Sequence, residues 1–150
     1  DIPLRASISQ DVNNRLMDDF ATLEDKTPIR NFMDELTVHI TKNGRRFRAL
    51  DPVGKDQELL LALSDPAYMV SGLTNKMLRE RLIDIPFGSG RTDKQLSAKI
   101  SRHLRLLRSH GIIRKLPRQN RYQVTVKGIR LTNALNALLA ASIENLLKIA

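Results

Sequence analysis

The 150-residue chain contains no cysteine. Disulfides, thiolate metal sites and cysteine nucleophiles are excluded together. Tryptophan is absent too, and four Phe and two Tyr are all the aromatic residues present. That is too few for the stacking rings on which single-strand binders lay bases. Three histidines, His39, His103 and His110, stand in no metal-ligand spacing, so no metal site and no cofactor are expected. No apolar run approaches a bilayer span of about 18–20 residues. No signal-peptide pattern opens the chain. It begins at Asp1 rather than Met. We read it as a fragment of a longer protein or a processed form, and expect a cytoplasmic location without membrane contact.

Acidic residues are scarce in one place. Lys and Arg total 25 against 16 Asp and Glu, a formal net charge of +9. Residues 1–90 hold 12 basic and 14 acidic residues, whereas residues 91–130 hold 12 basic residues and a single acid, Asp93. The excess is thus confined to one 40-residue block. Such concentration is the footprint of a surface for polyanions. Hydrophobic residues at 41% and charged residues at 27% are the balance of a soluble globular chain, not a disordered one.

Hydrophobic periodicity orders the chain. Val12, Leu16, Phe20 and Leu23 predict a helix over 9–23, with Ser9 as its cap. Thr27-Pro28 opens a short apolar face of Ile29, Phe32, Met33 and Leu36. The period changes at 37–50, where Asn43-Gly44 predicts a hairpin whose return strand carries Arg45, Arg46 and Arg48. Asp51-Pro52-Val53-Gly54 is a break. It divides an N-terminal helical and hairpin extension, 1–54, from a module spanning 55–150. Within the module, helices are expected over 55–64, from a cap at Thr74, and over about 92–109, ended by Gly111. Two strands around a Pro117-Arg118-Gln119-Asn120 turn follow, then a final helix from about Lys127 to Lys148. Its apolar stripe is Leu131, Leu135, Leu138, Leu139 and Leu146. The fold class is mainly α with small β-hairpins. Helix, helix, helix, basic hairpin, helix is the order of a winged helix-turn-helix with a long C-terminal helix added.

In that fold the third helix enters the major groove of DNA. On a wheel advancing about 100° per residue, Leu96, Ile100, His103, Leu104 and Leu107 form one buried stripe. Lys94, Ala98, Ser101, Arg102 and Arg105 lie opposite, and Gln95 borders them. Small residues let the helix sit deep, and an arginine can grip guanine O6 and N7 together. Base reading is therefore assigned to Lys94, Gln95, Ser101, Arg102 and Arg105. Phosphate contacts are assigned to Arg91, Thr92 and Arg108 at the helix ends. The wing over 113–125 adds Arg114, Arg118, Gln119, Asn120 and Arg121, placed on the backbone or in the minor groove. His103 is expected at the core edge, and His110 as a complement to the helix dipole.

The run Ser97-Ala98-Lys99-Ile100-Ser101-Arg102-His103-Leu104-Arg105-Leu106-Leu107-Arg108-Ser109-His110-Gly111-Ile112-Ile113-Arg114 resembles the recognition helix and wing entry of ArsR- and MarR-type winged-helix regulators. Arg121-Tyr122-Gln123-Val124-Thr125-Val126-Lys127-Gly128 resembles the end of their wing. The likeness covers about residues 55–148. It implies a DNA-binding transcriptional regulator. Metal sensing in ArsR relatives needs Cys or clustered His, so that property is not carried over. The run from Lys42-Asn43-Gly44-Arg45-Arg46 onward is also similar to the C-terminal part of a longer uncharacterised bacterial protein family.

Other features stay open. Leu131, Leu135, Leu138, Leu139, Ile143, Leu146 and Leu147 fit either the helix at 9–23 or a second copy. The latter would give a homodimer on a palindromic site. Arg45-Arg46-Phe47-Arg48 either extends the DNA surface or is an ordinary edge strand. Catalysis is not expected. Asp18-Asp19 and Asp34-Glu35 point in different directions on a helix. Gly88-Ser89-Gly90-Arg91 lacks the Lys-Ser/Thr of a phosphate loop. The sequence thus predicts double-stranded DNA binding by a non-enzymatic regulator. The alternative is a nucleic-acid-targeting or protein-interaction module of a larger mobile-element or recombination protein.

Overall fold

The computed structural model describes Asp34 and residues 37–149. The helix expected over 9–23, and Ile29, Phe32, Met33 and Leu36, lie outside the described residues. The described chain is mainly helical, with two small antiparallel hairpins and a long C-terminal helix.

Strands β1 (Ile40–Lys42) and β2 (Arg45–Phe47) pair with Ile40 opposite Phe47 and Lys42 opposite Arg45. Asn43 and Gly44 join them with φ of 52° and 75°. Two successive positive φ values are what a two-residue type I′ hairpin needs. Helix α1 (Gln57–Ala62) follows the break, and a second short helix, α2 (Pro66–Ser71), follows it. The sequence reading contains no α2. Six residues show too little period, although Asp65 caps Ala67 and Pro66 starts the helix.

Gly72, at φ 77°, then turns Leu73 against Tyr122 through two reciprocal 2.8 Å hydrogen bonds. A Cβ on Gly72 would lie 2.6 Å from the Tyr122 carbonyl oxygen. This bridge ties the loop before the third helix to the far hairpin. Helix α3 (Asn75–Leu82) starts at Thr74, whose hydroxyl accepts from the Met77 N–H.

Helix α4 (Asp93–Ser109) matches its expected span. Thr92 and Gln95 form a reciprocal capping box at its start. At its end Ile112 N–H reaches Leu107 O at 2.9 Å and Gly111 N–H reaches Arg108 O at 3.0 Å. With Gly111 at φ 75°, these bonds make a Schellman stop. Strands β3 (Ile113–Lys115) and β4 (Tyr122–Val124) form the second hairpin. Helix α5 (Val126–Ile149) begins where the Thr125 hydroxyl accepts from Gly128 N–H.

One apolar cluster runs from Leu50 through α1, α3 and α4 to Leu131, Leu135 and Leu139 of α5. Each fully buried leucine in it contributes about 1.5–3 kcal/mol. Leu50 precedes the Asp51–Gly54 break, so the core reaches back across it. On α5 the expected inward stripe holds only in its first half. Leu138 and Leu139 are buried, whereas Leu146 is 42% and Leu147 71% exposed.

Candidate nucleic-acid interface

The capping box and Schellman stop hold α4 in register, and Leu96, Ile100, Leu104 and Leu107 press one side of it into the core. The opposite side is exposed as the wheel predicts. Lys94, Gln95, Ala98, Arg102, Arg105 and Arg108 all lie on the surface, with Arg91 and Thr92 just before them. Asp93, the lone acid of the basic block, is paired at 2.7 Å with Arg79 from α3. It therefore does not offset the neighbouring cations. Among the described residues no ion pair engages Arg91, Lys94, Arg102, Arg105 or Arg108.

Two of the assigned base readers have work inside the fold. The Gln95 side-chain oxygen accepts from the Thr92 N–H to close the cap. Gripping adenine with both amide atoms would open that bond. Ser101 is half-buried, and its hydroxyl accepts from Asn75 Nδ2 at 3.0 Å. The same amide nitrogen donates to the Ser97 carbonyl, so Asn75 locks α3 onto α4. Of the assigned base readers, Lys94, Arg102 and Arg105 are exposed and Ser101 is not.

At the wing, Arg118, Gln119 and Asn120 are exposed at the tip, with Arg118 at φ 58°. Arg114 and Lys115 are exposed on β3, and Arg114 donates to Gln123 across the hairpin. Arg121 differs. It is half-buried and donates to the Ser71 carbonyl at 2.7 Å, bracing the turn end of the hairpin against the end of α2. Lys99 is also withdrawn. Its ammonium donates to the Phe87 carbonyl and sits 3.8 Å over the Phe87 ring. Burial, then repulsion from Arg91, lowers its pKa.

Behind α4 lies a polar knot. Arg48 makes two 2.7 Å bonds to Asp56, whose side chain is 1% exposed. Asp56 also accepts from the Asp51 N–H. Burial alone would raise the Asp56 pKa, but the bonds from Arg48 and Asp51 overcome it and the carboxyl ends lower. Arg48 is therefore no part of the surface that the Arg45–Arg48 run was weighed for. Its carbonyl accepts from His110 Nε2 at 2.8 Å, which fastens the exit of β2 to the end of α4.

His103 stands at the core edge as expected, edge-on to Phe87 with ring centroids 5.1 Å apart. His110 departs from its expected role. It is buried, and its Nδ1 has no hydrogen-bond partner. Protonating it would strand an N–H in the interior, so burial pushes its pKa down and it serves as a neutral donor. Burial likewise lowers His103, against the opposing pull of the Lys99 carbonyl and Asp56. An unfolded chain takes up these protons near the ordinary value of 6.5, before the folded one does. Stability is then complete above that value and falls as pH drops below it. Urea midpoints taken from about pH 7.5 down to about pH 5 should fall in the wild type and fall less in His110→Gln. Asp56 adds its loss only below its ordinary 3.8. Equal slopes in the two proteins would remove His110 from this account.

The structure also brings together residues that sequence spacing left apart. Lys42, Asn43, Arg45 and Phe47 of the first hairpin line an open recess of about 480 Å³ with Arg105, Arg108 and Ser109. Lys42 was not singled out by the sequence. The Asn43-Gly44 turn was the signal, because a two-residue loop makes its flanking residues cross-strand partners.

No family model, curated protein or solved structure matches the chain. Among the described residues, no helix is long and apolar enough to cross a membrane. No group of three or more His, Asp or Glu among them could hold a metal ion.

Proposed function

We propose that the protein binds double-stranded DNA as a winged helix and acts as a transcriptional regulator. In this reading α4 lies in the major groove and the β3–β4 hairpin is the wing. The observation that carries it is the exposed side of α4, where Lys94, Arg102, Arg105 and Arg108 have no ion-pair partner among the described residues and Asp93 is paired with Arg79. Support also comes from the chain order of α1, α2, the Leu73–Tyr122 bridge, α3, α4 and the β3–β4 hairpin. The bridge ties the segment before α3 to that hairpin. Arg102 and Arg105 read bases. Arg91, Lys94, Arg114, Lys115 and Arg118 neutralise phosphates.

Selection from a random duplex pool tests the reading. A recovered motif supports it, and a pool that stays random after enrichment removes sequence-specific regulation. On the recovered site, Arg102→Ala and Arg105→Ala should each weaken binding by about 1–3 kcal/mol and relax one base position. If both variants bind the site as the wild type does, the assigned face is wrong. A homodimer belongs to the same reading. Leu146 and Leu147 expose apolar surface near the end of α5, and a palindromic motif is its expected mark.

A further inference from the structure

The recess between the first hairpin and α4 is built from cations that repel one another. Residues 40, 42, 45 and 47 share one face of the hairpin, because side chains alternate along a strand. Phe47 on that face packs against the core. Lys42 and Arg45 on the same face are direct cross-strand partners. Like charges directly opposite destabilise a hairpin. The fold then adds Arg105 and Arg108 from α4 to the same recess, and among the described residues no carboxylate lines it. Among the described residues no ion pair engages any of these four cations. Phe47 packs against the core, and the bond from His110 to the Arg48 carbonyl joins the exit of the hairpin to the end of α4. An open recess lined by four cations and, among the described residues, by no acid suits a phosphate group.

We infer that β1–β2 is a second wing, and that its recess holds a backbone phosphodiester of the duplex seated on α4. This rests on the DNA-binding reading above and extends it to the N-terminal segment. Continuity selects the occupant. Arg105 belongs both to the recess and to the exposed side of α4, so DNA lying on that side brings a phosphate to Lys42 and Arg45. The hairpin turn keeps both cations at its tip, where a backbone flanking the groove would pass. Recognition would then be flanked by two basic hairpins, with Arg118 at the tip of one and Lys42 and Arg45 at the tip of the other.

The test is the double variant Lys42→Ala/Arg45→Ala, titrated with duplex DNA by fluorescence anisotropy across a salt series. Both residues are exposed, and a urea melt verifies that the variant stays folded. The slope of log affinity against log salt should become shallower by about 0.9, the equivalent of one phosphate contact. Affinity at fixed salt should fall roughly tenfold or more. The loss should be equal on preferred and scrambled duplexes, because phosphate contacts carry no sequence information. An unchanged slope beside salt-dependent wild-type binding overturns the second wing and leaves the DNA reading standing. Absence of duplex binding by the wild type overturns both. Saturable binding of pyrophosphate to the wild type, lost in the variant without any change in slope, assigns the recess to a free phosphate compound. That outcome also overturns the proposal.

Discussion

Raising salt from 50 to 200 mM should lower the affinity of the protein for duplex DNA by roughly 10³-fold or more. The expectation follows from counting exposed cations. Arg91, Lys94, Arg108, Arg114, Lys115 and Arg118 are all on the surface, and neutralising six phosphates releases the corresponding counterions. Each contact steepens the log–log slope by about 0.9. Lys99 and Arg121 are left out of this count, although they lie in the same basic block. Phe87 holds the first and the Ser71 carbonyl the second. Substituting Arg121 should therefore disturb the turn end of the β3–β4 hairpin more than it alters the salt slope. A flat response between the two salt concentrations would show that the basic block is ordinary solvated surface.

Arg48→Ala should destabilise the fold by about 3 kcal/mol. The pair it breaks is unequal in burial. Asp56 is 1% exposed and keeps only the Asp51 amide and a histidine 3.6 Å away once the guanidinium is gone. An uncompensated buried carboxylate accounts for most of the loss. Asp56→Asn in the Arg48→Ala background should recover part of it, because the charge leaves while an acceptor for the Asp51 N–H remains. Against a domain total of about 5–15 kcal/mol, the single substitution should shift a urea midpoint well outside error. A midpoint matching that of a surface control such as Arg46→Ala would show that the pair adds nothing. The same substitution loosens the exit of β2, so it should also weaken any contact that the first hairpin makes with DNA.

Much of the architecture was written locally. Thr92 and Gln95 mark the start of α4 and Gly111 its end, because caps act through neighbours three or four residues away. Asn43-Gly44 sets its hairpin, since few other pairs accept two positive φ values. The apolar stripe of α4 and the first half of the α5 stripe were legible from period alone. Helix α2 was not, because one and a half turns carry almost no period. Leu146 read as inward for the opposite reason. A stripe states which residues share a face, but not how far along the helix that face is covered.

The candidate site divides along the same line. Composition located the basic block, and the helical wheel chose the side of α4 that would carry cations. Both judgements need only local geometry. Which cations remain exposed was decided in three dimensions. Arg121 finds the end of α2 across 50 residues of sequence, and Lys99 finds the Phe87 carbonyl across 12. A long cationic side chain takes whatever carbonyl or carboxylate the packed chain brings near, and that neighbour is not encoded at helical spacing. For the same reason the sequence alone yields a charge of +9 concentrated in one block. Only the folded chain brings Lys42 and Arg45 into one recess with Arg105 and Arg108.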